Sequence, residues 1–314
     1  MIKIAVVGTG IIGIDHLNAI KSSDKCELVA VCDNKEDVAK EIGEKYGVPY
    51  FVDYHDISDN VKADAVILNL PHFLHCDVSV YFLEKGVHVL VEKPMANTVE
   101  ECERMIEASK NSGKKLAVGH IQRFFESNKA VKEIVESGEL GKLSMYSEVR
   151  TIDYFLPTRP AWFLNKKLAG GGIVMNYGAH ALDKLFYVLG NEDVEAFSSV
   201  GNIKNDKDIE GNAQIFLKFK DSISASVTFS GYSNCGYDSI YYFTDGAVKV
   251  SGSTELSINR NGTWEKQDVP QDFSIPFKNQ LDEFLKYIND EPCDIATGEY
   301  GKAVISVIEN VYNS

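Results

Sequence analysis

The chain has 314 residues, 44% of them hydrophobic and 25% charged, which fits a globular protein of about two domains and excludes a disordered or fibrous one. Asp and Glu outnumber Lys and Arg by 46 to 32, and the net charge of −14 repels nucleic-acid phosphates and anionic membrane surfaces. The expected partner is therefore a small molecule, with neither nucleic acid nor membrane. The opening MIKIAVVGTGIIG carries Lys3 and turns at once into a glycine motif, and no run reaches the ~18 apolar residues of a membrane span. A cytoplasmic protein without export signal is expected. Cys26, Cys32, Cys76, Cys102, Cys235 and Cys293 form no C-x-x-C pair and read as reduced thiols. No second ligand pair follows His72, His75 and Cys76, so no metal is expected.

Over 3–118 short β-branched runs alternate with helical periodicity, the pattern of a parallel sheet covered on both faces. Strands are predicted over 3–7, 28–32, 65–70, 88–91 and 116–118. Helices are predicted over 38–46, ended by Gly47, and 78–85, ended by Gly86, with Asn97 and Glu100 opening another. Gly8-x-Gly10-x-x-Gly13 follows the first strand and opens a helix, which is where a glycine motif binds a dinucleotide. Its backbone, with Ile11 and Ile12 between the glycines, can approach a pyrophosphate at the positive helix end. Asp33 ends the second strand, where a carboxylate hydrogen-bonds ribose hydroxyls and repels a 2′-phosphate, so NAD is expected over NADP. The alternative for Asp33 is an N-cap of the helix that begins near Lys35.

Beyond His120 one helix over 127–137 and a long loop over 152–172 precede runs of alternating polarity over 194–200, 213–219, 223–229, 239–243 and 247–250. Asp221-Ser222, Asp245-Gly246 and Asn261-Gly262 supply turns between strands. An open-faced antiparallel sheet is expected, with Tyr241 and Thr228 on the face left for a partner subunit, and a homodimer or homotetramer as the result. Helices over 277–289 and 299–312 close the chain. The fold class is α/β, an N-terminal Rossmann domain over 1–119 and a C-terminal α+β domain over 120–314, whose last helix is free to pack back on the first domain.

Five motifs occur in order: Leu68-Asn69-Leu70-Pro71-His72 with His75, Glu92-Lys93-Pro94, Gly119-His120-x-x-Arg123-Phe124, the glycine run from Gly170, and Asn176-x-x-x-His180 with Asp183. Together with the first glycine motif they resemble the Gfo/Idh/MocA oxidoreductases across essentially the whole length. The resemblance implies NAD-dependent hydride transfer at a secondary alcohol of a sugar, polyol or sugar derivative. It implies that Asn69, Leu70, Pro71, His72, His75, Glu92 and Lys93 contact the cofactor and that Lys93 meets the substrate hydroxyl. It also implies substrate contacts from Arg123, Tyr154, Arg159, Trp162, Asn176 and His180, with Lys93, His180 and Asn176 as the catalytic group. The resembling enzymes carry Asp-x-x-x-His at this point, though some members have the asparagine found here; Asn176 can hydrogen-bond an imidazole or a substrate hydroxyl but cannot stabilise an imidazolium as a carboxylate does. Asp183 is a possible substitute partner. The alternatives are an NAD-dependent glycoside hydrolase of the same fold and a non-catalytic NAD-binding sensor.

Overall fold

Apolar runs with no exposed side chain, such as Ala65 to Leu68, form strands covered on both faces, and they build the first sheet. The computed structural model describes residues 1–190, 193–201, 206–220, 222–269 and 272–314. It separates into two units, Met1–His120 with Phe273–Lys302, and Ile121–Asp272 with Ala303–Ser314. The first unit runs through β1 (Ile2–Val7), α1 (Ile11–Ser22), β2 (Cys26–Cys32), α2 (Glu36–Tyr46), β3 (Tyr50–Phe51) and α3 (His55–Asn60). It continues through β4 (Ala65–Leu68), α4 (His72–Glu84), β5 (His88–Glu92), α5 (Val99–Ser112) and β6 (Leu116–Gly119). All pairings are parallel in the order β3-β2-β1-β4-β5-β6, so the order reverses between β1 and β4, where a doubly wound sheet binds its ligand.

Three local differences from the sequence expectation have physical causes. The strand predicted to reach Leu70 ends at Leu68; Asn69 N still donates to Val7 O at 2.8 Å, and its side-chain amide donates to Gly8 O at 3.2 Å, which ties the strand end to the glycine loop. The cap of α5 is Thr98, not Asn97: Thr98 Oγ1 accepts from Glu101 N at 3.1 Å, and Glu101 Oε2 accepts from Asn97 N at 2.9 Å. The unpredicted β3 has only 2 residues and so shows no periodicity.

The second unit opens with a 3₁₀ turn (Ile121–Phe124), α6 (Glu126–Ser137) and β7 (Leu143–Asp153). A 3₁₀ turn (Ala161–Leu164), α7 (Lys166–Ala169) and a π-helical turn (Val174–Gly178) lead directly into α8 (Ala179–Leu189). Then come β8 (Val194–Gly201), β9 (Asn212–Phe219), β10 (Ser224–Ser230), β11 (Tyr232–Phe243), β12 (Ala247–Ser251), β13 (Glu255–Arg260) and β14 (Thr263–Gln267). The sheet order is β14-β13-β12-β11-β7-β10-β9-β8, antiparallel except where β7 and β10 run parallel. The central strand β7 escapes sequence reading because two of its inward positions, Glu148 and Arg150, are charged, which erases the apolar alternation. Asn261 and Gly262 take the positive φ values a tight hairpin demands, 53° and 84°. Asp221 of the predicted Asp221-Ser222 turn lies outside the described residues.

Tyr241, expected on the free face of the sheet, is instead fully buried, its ring centroid 4.8 Å from that of Tyr146. The run Ser239 to Phe243 is apolar at nearly every position, so alternation could not say which face turns inward. The outer face carries Met145, Val149, Phe197 and Phe216, 43 to 58% exposed, with Phe197 opposite Phe216 across β8 and β9. The closing helices are α9 (Ser274–Ile288) and α10 (Gly298–Asn313). Helix α9 belongs to the first unit, where Phe277 meets the His16 ring edge-on at 5.1 Å and Asp282 pairs with Lys25 at 3.0 Å. No helix among the described residues is long and apolar enough to cross a membrane.

Candidate active site

The first glycine loop is shaped by contacts that exclude side chains. A Cβ on Gly8 would stand 2.2 Å from Asn69 O, and one on Gly13 would stand 2.2 Å from Gly8 O. A Cβ on Gly10 would meet nothing within 4 Å, so this residue faces open space rather than protein. Helix α1 starts there with no side-chain cap and no acidic residue in its first turn, which leaves backbone N–H donors for an anion. Ile11 is 87% exposed and Ile12 41%, apolar surface that a dinucleotide would cover. Asp33 Oδ2 accepts from Thr9 N and Thr9 Oγ1, each at 3.0 Å, and Oδ1 accepts from Lys35 N at 3.2 Å. The N-cap of α2 is Lys35, so Asp33 does not cap the helix. Its carboxylate is held at the end of β2 with acceptor capacity left on Oδ1 for a ribose hydroxyl. These residues fit a dinucleotide.

At the ends of β4 and β5 the side chains mostly hold one another. His75 is fully buried, with Nδ1 2.8 Å from Pro94 O and Nε2 2.8 Å from Leu70 O. Burial keeps its pKa below the ordinary histidine value, against the opposing pull of the two carbonyls and Glu92. The cofactor contact expected of His75 is therefore corrected: it ties the Leu70 loop to the Lys93-Pro94 segment and exposes nothing to a ligand. His72 is 4% exposed, while Leu70, Pro71 and Lys93 are partly open. Glu92 lies between His16 Nε2, 3.1 Å from Oε1, and Lys93 N, which donates to Oε2 at 3.2 Å. His16 was missed by sequence reading; its place three residues after Gly13, one turn into α1, was the available signal.

In the second unit the expected four-residue pairing of Asn176 and His180 crosses from a π turn into α8, a junction that alters helical register and recurs at functional sites. Asn176 is 7% exposed and bears on the Tyr154 hydroxyl. Burial pushes the Tyr154 phenol well above its ordinary pKa, and Arg159 and then Asn176 oppose it. Tyr154 has no exposed surface, so its expected substrate contact is corrected to packing. Arg159 packs over its ring at 4.2 Å and donates to its carbonyl. Arg123 is corrected likewise: 5% exposed, it gives Nη2 to Asp183 Oδ1 at 2.8 Å, which also engages the residue expected as a substitute partner of His180. Trp162 remains partly open and stacks on Phe163 with centroids 3.7 Å apart.

His180 lines a cavity of about 400 Å³ together with Gln122, Arg150, Tyr177, Asn234 and Tyr237. Of these only His180 was anticipated. Arg150 and Tyr237 face each other across β7 and β11, and β7 was not legible as a strand. A larger cavity, about 540 Å³, lies in the first unit beside Ile2, Asp64 and His88. That is the amino-terminal edge of the sheet, whereas doubly wound sheets bind ligands beyond the carboxyl ends of their strands.

Residues 2–120 match an oxidoreductase family with an NAD-binding Rossmann fold, GFO/IDH/MocA, and residues 128–255 match the C-terminal domain of the same family. The chain is 30% identical over 242 residues to myo-inositol 2-dehydrogenase of Thermotoga maritima, covering 75% of this chain and 70% of that enzyme. The chain belongs to the GFO/IDH/MocA oxidoreductase family. It is also 30% identical over 239 residues to a 1-carboxy-3-chloro-3,4-dihydroxycyclohexa-1,5-diene dehydrogenase of Comamonas testosteroni, covering 76% of this chain and 60% of that protein. The crystal structure of aldose-aldose oxidoreductase from Caulobacter crescentus, complexed with glycerol, matches with a TM-score of 0.88 at 27% identity, over 99% of this chain and 96% of that one. This GFO/IDH/MocA chain is thus an NAD-dependent oxidoreductase, and the hydrolase and sensor alternatives are not supported. In this family member Asp33 is expected to hold NAD on the order of 10- to 100-fold tighter than NADP, the scale of one misplaced charged hydrogen bond. Asp33→Ser should shrink or reverse that ratio in calorimetric titrations. Equal affinities of the unaltered protein for both nucleotides would leave Asp33 as a turn-former only.

Proposed function

We propose that this oxidoreductase acts on a secondary hydroxyl of a sugar, polyol or sugar derivative, with Lys93 and His180 as its catalytic residues and Asn176 as a positioning residue. The observation that carries the reading is the cavity of about 400 Å³ walled by His180, Gln122, Asn234 and two tyrosines, a polar and aromatic lining of the kind that holds a hydroxylated ring. Relatives named for inositol and aldose oxidation support it. NAD, when bound, takes a hydride from the carbinol carbon while the hydroxyl proton leaves to the protein, so the products are a carbonyl compound, NADH and one proton. Lys93 at the end of β5 supplies an ammonium or amine to the hydroxyl oxygen, and His180 supplies a second group able to take or return the proton. Asn176 would act through Tyr154 on the π turn that aims His180.

Incubating the protein with NAD and a panel of polyols, aldoses and sugar acids should release NADH with at least one member. Tight NAD binding with no NADH from any of them would sink the reading.

We further place the protein in the cytoplasm, because the four cysteines among Cys26, Cys32, Cys76 and Cys102 are buried free thiols. Burial pushes Cys32 up to about 12 and Cys76 up to about 11, so both are inert as thiolates. The outer sheet face with Met145, Val149, Phe197 and Phe216 is proposed as the surface of a homodimer or homotetramer. Light scattering should return a multiple of 34.9 kDa at micromolar concentration; the single-chain mass would remove the idea.

A further inference from the structure

The wall of the His180 cavity holds a charge that a neutral sugar does not need, the guanidinium of Arg150, backed by a buried charge network. Tyr146, Glu148 and Arg150 alternate along β7 and all turn inward. Lys184 of α8 is fully buried, with Nζ 2.6 Å from Glu148 Oε2 and donating to Ser239 Oγ at 2.6 Å, while the Tyr146 hydroxyl donates to the same carboxylate oxygen. Glu148 therefore spends Oε2 on Lys184 and Tyr146. Arg150 Nη2 stands 3.2 Å from Glu148 Oε1, an ion pair without hydrogen-bond alignment, since that oxygen has no hydrogen-bond partner. Arg150 is 5% exposed, and its buried Nε meets no acceptor among the described residues. Its guanidinium lies 4.1 Å over the Tyr237 ring and 5.5 Å from that of Tyr177, and all three residues line the cavity.

Charge bookkeeping points the same way. Two cations, Arg150 and Lys184, share one carboxylate, and the neighbouring Arg123 and Asp183 cancel each other. Asp238 of β11 is engaged by Lys249 at 3.0 Å. One positive charge is left over at the cavity wall, on the group that has donors to spare, and a buried guanidinium with unfilled donors is a costly arrangement unless an anion completes it. The planar fork of arginine matches a carboxylate.

We propose that Arg150 anchors a carboxylate of the substrate, so that the substrate class is a sugar acid or polyol acid whose reacting hydroxyl lies at His180. This rests on the oxidoreductase reading above and narrows it. A single excess charge favours a carboxylate monoanion over a phosphate dianion.

The test is calorimetric titration of the full chain, saturated with NADH, against D-glucuronate and D-galacturonate, with D-glucose and D-galactose as neutral counterparts and D-glucose 6-phosphate as the dianion. At least one uronate should bind on the order of 10- to 100-fold tighter than its aldose, the scale of a charge-assisted pair. Arg150→Lys keeps the countercharge for Glu148 and so should still fold, but loses the fork, and should cut that preference by roughly 10-fold. Uronates that bind no tighter than aldoses, a phosphate that binds tightest, or an unchanged preference in Arg150→Lys would each overturn the proposal. The comparison on the unaltered chain needs no variant. Selective uronate binding, with no NADH released when uronates, aldoses and polyols are incubated separately with NAD, would leave the anchor standing and sink the oxidoreductase substrate reading; turnover of neutral polyols with no uronate preference would do the reverse.

Discussion

Lys93→Ala is expected to lower NADH formation by roughly 1,000-fold or more, within the range a positioned acid or base contributes, while NAD binding stays within a few fold. The expectation follows from how rigidly the segment is built. Lys93 N is fixed on Glu92 Oε2, Glu92 Oε1 is fixed on His16, and the carbonyl of Pro94 is fixed on His75. Three buried or half-buried side chains, Glu92, His16 and His75, thus fix the backbone that carries the partly exposed Lys93. His180→Ala is expected to cost less, about 100-fold, the scale of one positioned acid or base. The measurement is kcat and KM for both variants on whichever substrate the panel yields. The assignment falls if Lys93→Ala retains more than a tenth of the activity, or if its whole effect lies in the affinity for NAD.

Lys184→Met should destabilise the protein by about 3–5 kcal/mol, the cost of leaving a buried charge without its partner. Glu148 then loses its hydrogen-bonded ammonium partner and keeps only the unaligned Arg150 pair at 3.2 Å and the Tyr146 hydroxyl. Burial, the largest influence on it, raises its pKa; at present Lys184 and Arg150, with hydrogen bonds from Lys184 and Tyr146, outweigh burial and hold it below the ordinary carboxylate value. Its stabilising contribution in the unaltered protein is present above the unfolded carboxylate pKa and is lost as pH falls through the lowered folded one. Without Lys184 the sign reverses, because burial opposed mainly by Arg150 favours the neutral acid, whose stability is lost as pH rises. Urea denaturation of the two proteins should show the gap narrowing as pH is lowered from neutral toward 4. A gap that is small at neutral pH, or that widens in acid, would mean that Lys184 does not stabilise the Glu148 carboxylate.

How much of this protein could be read before folding depends on the distance over which each feature is encoded. The glycine motif, Asp33 at a strand end, the Glu-Lys-Pro segment and the parallel first sheet were legible, because each is written in consecutive residues whose backbone needs and apolar periodicity are local. The NAD-binding character followed from them. The roles of His75, Tyr154 and Arg123 were not legible: their residue types suit a ligand contact and a buried brace equally well. Only a carbonyl at Pro94, a carboxylate at Asp183 and the burial of Tyr154 under Arg159 decided for the brace. The same holds for β7, whose inward charges hide the strand until Lys184, distant in sequence, arrives to pair with Glu148. Chain order states which side chains exist and how neighbours will curl, whereas desolvation and long-range pairing, which decide whether a charge is spent or available, arise only when separate elements are packed against each other.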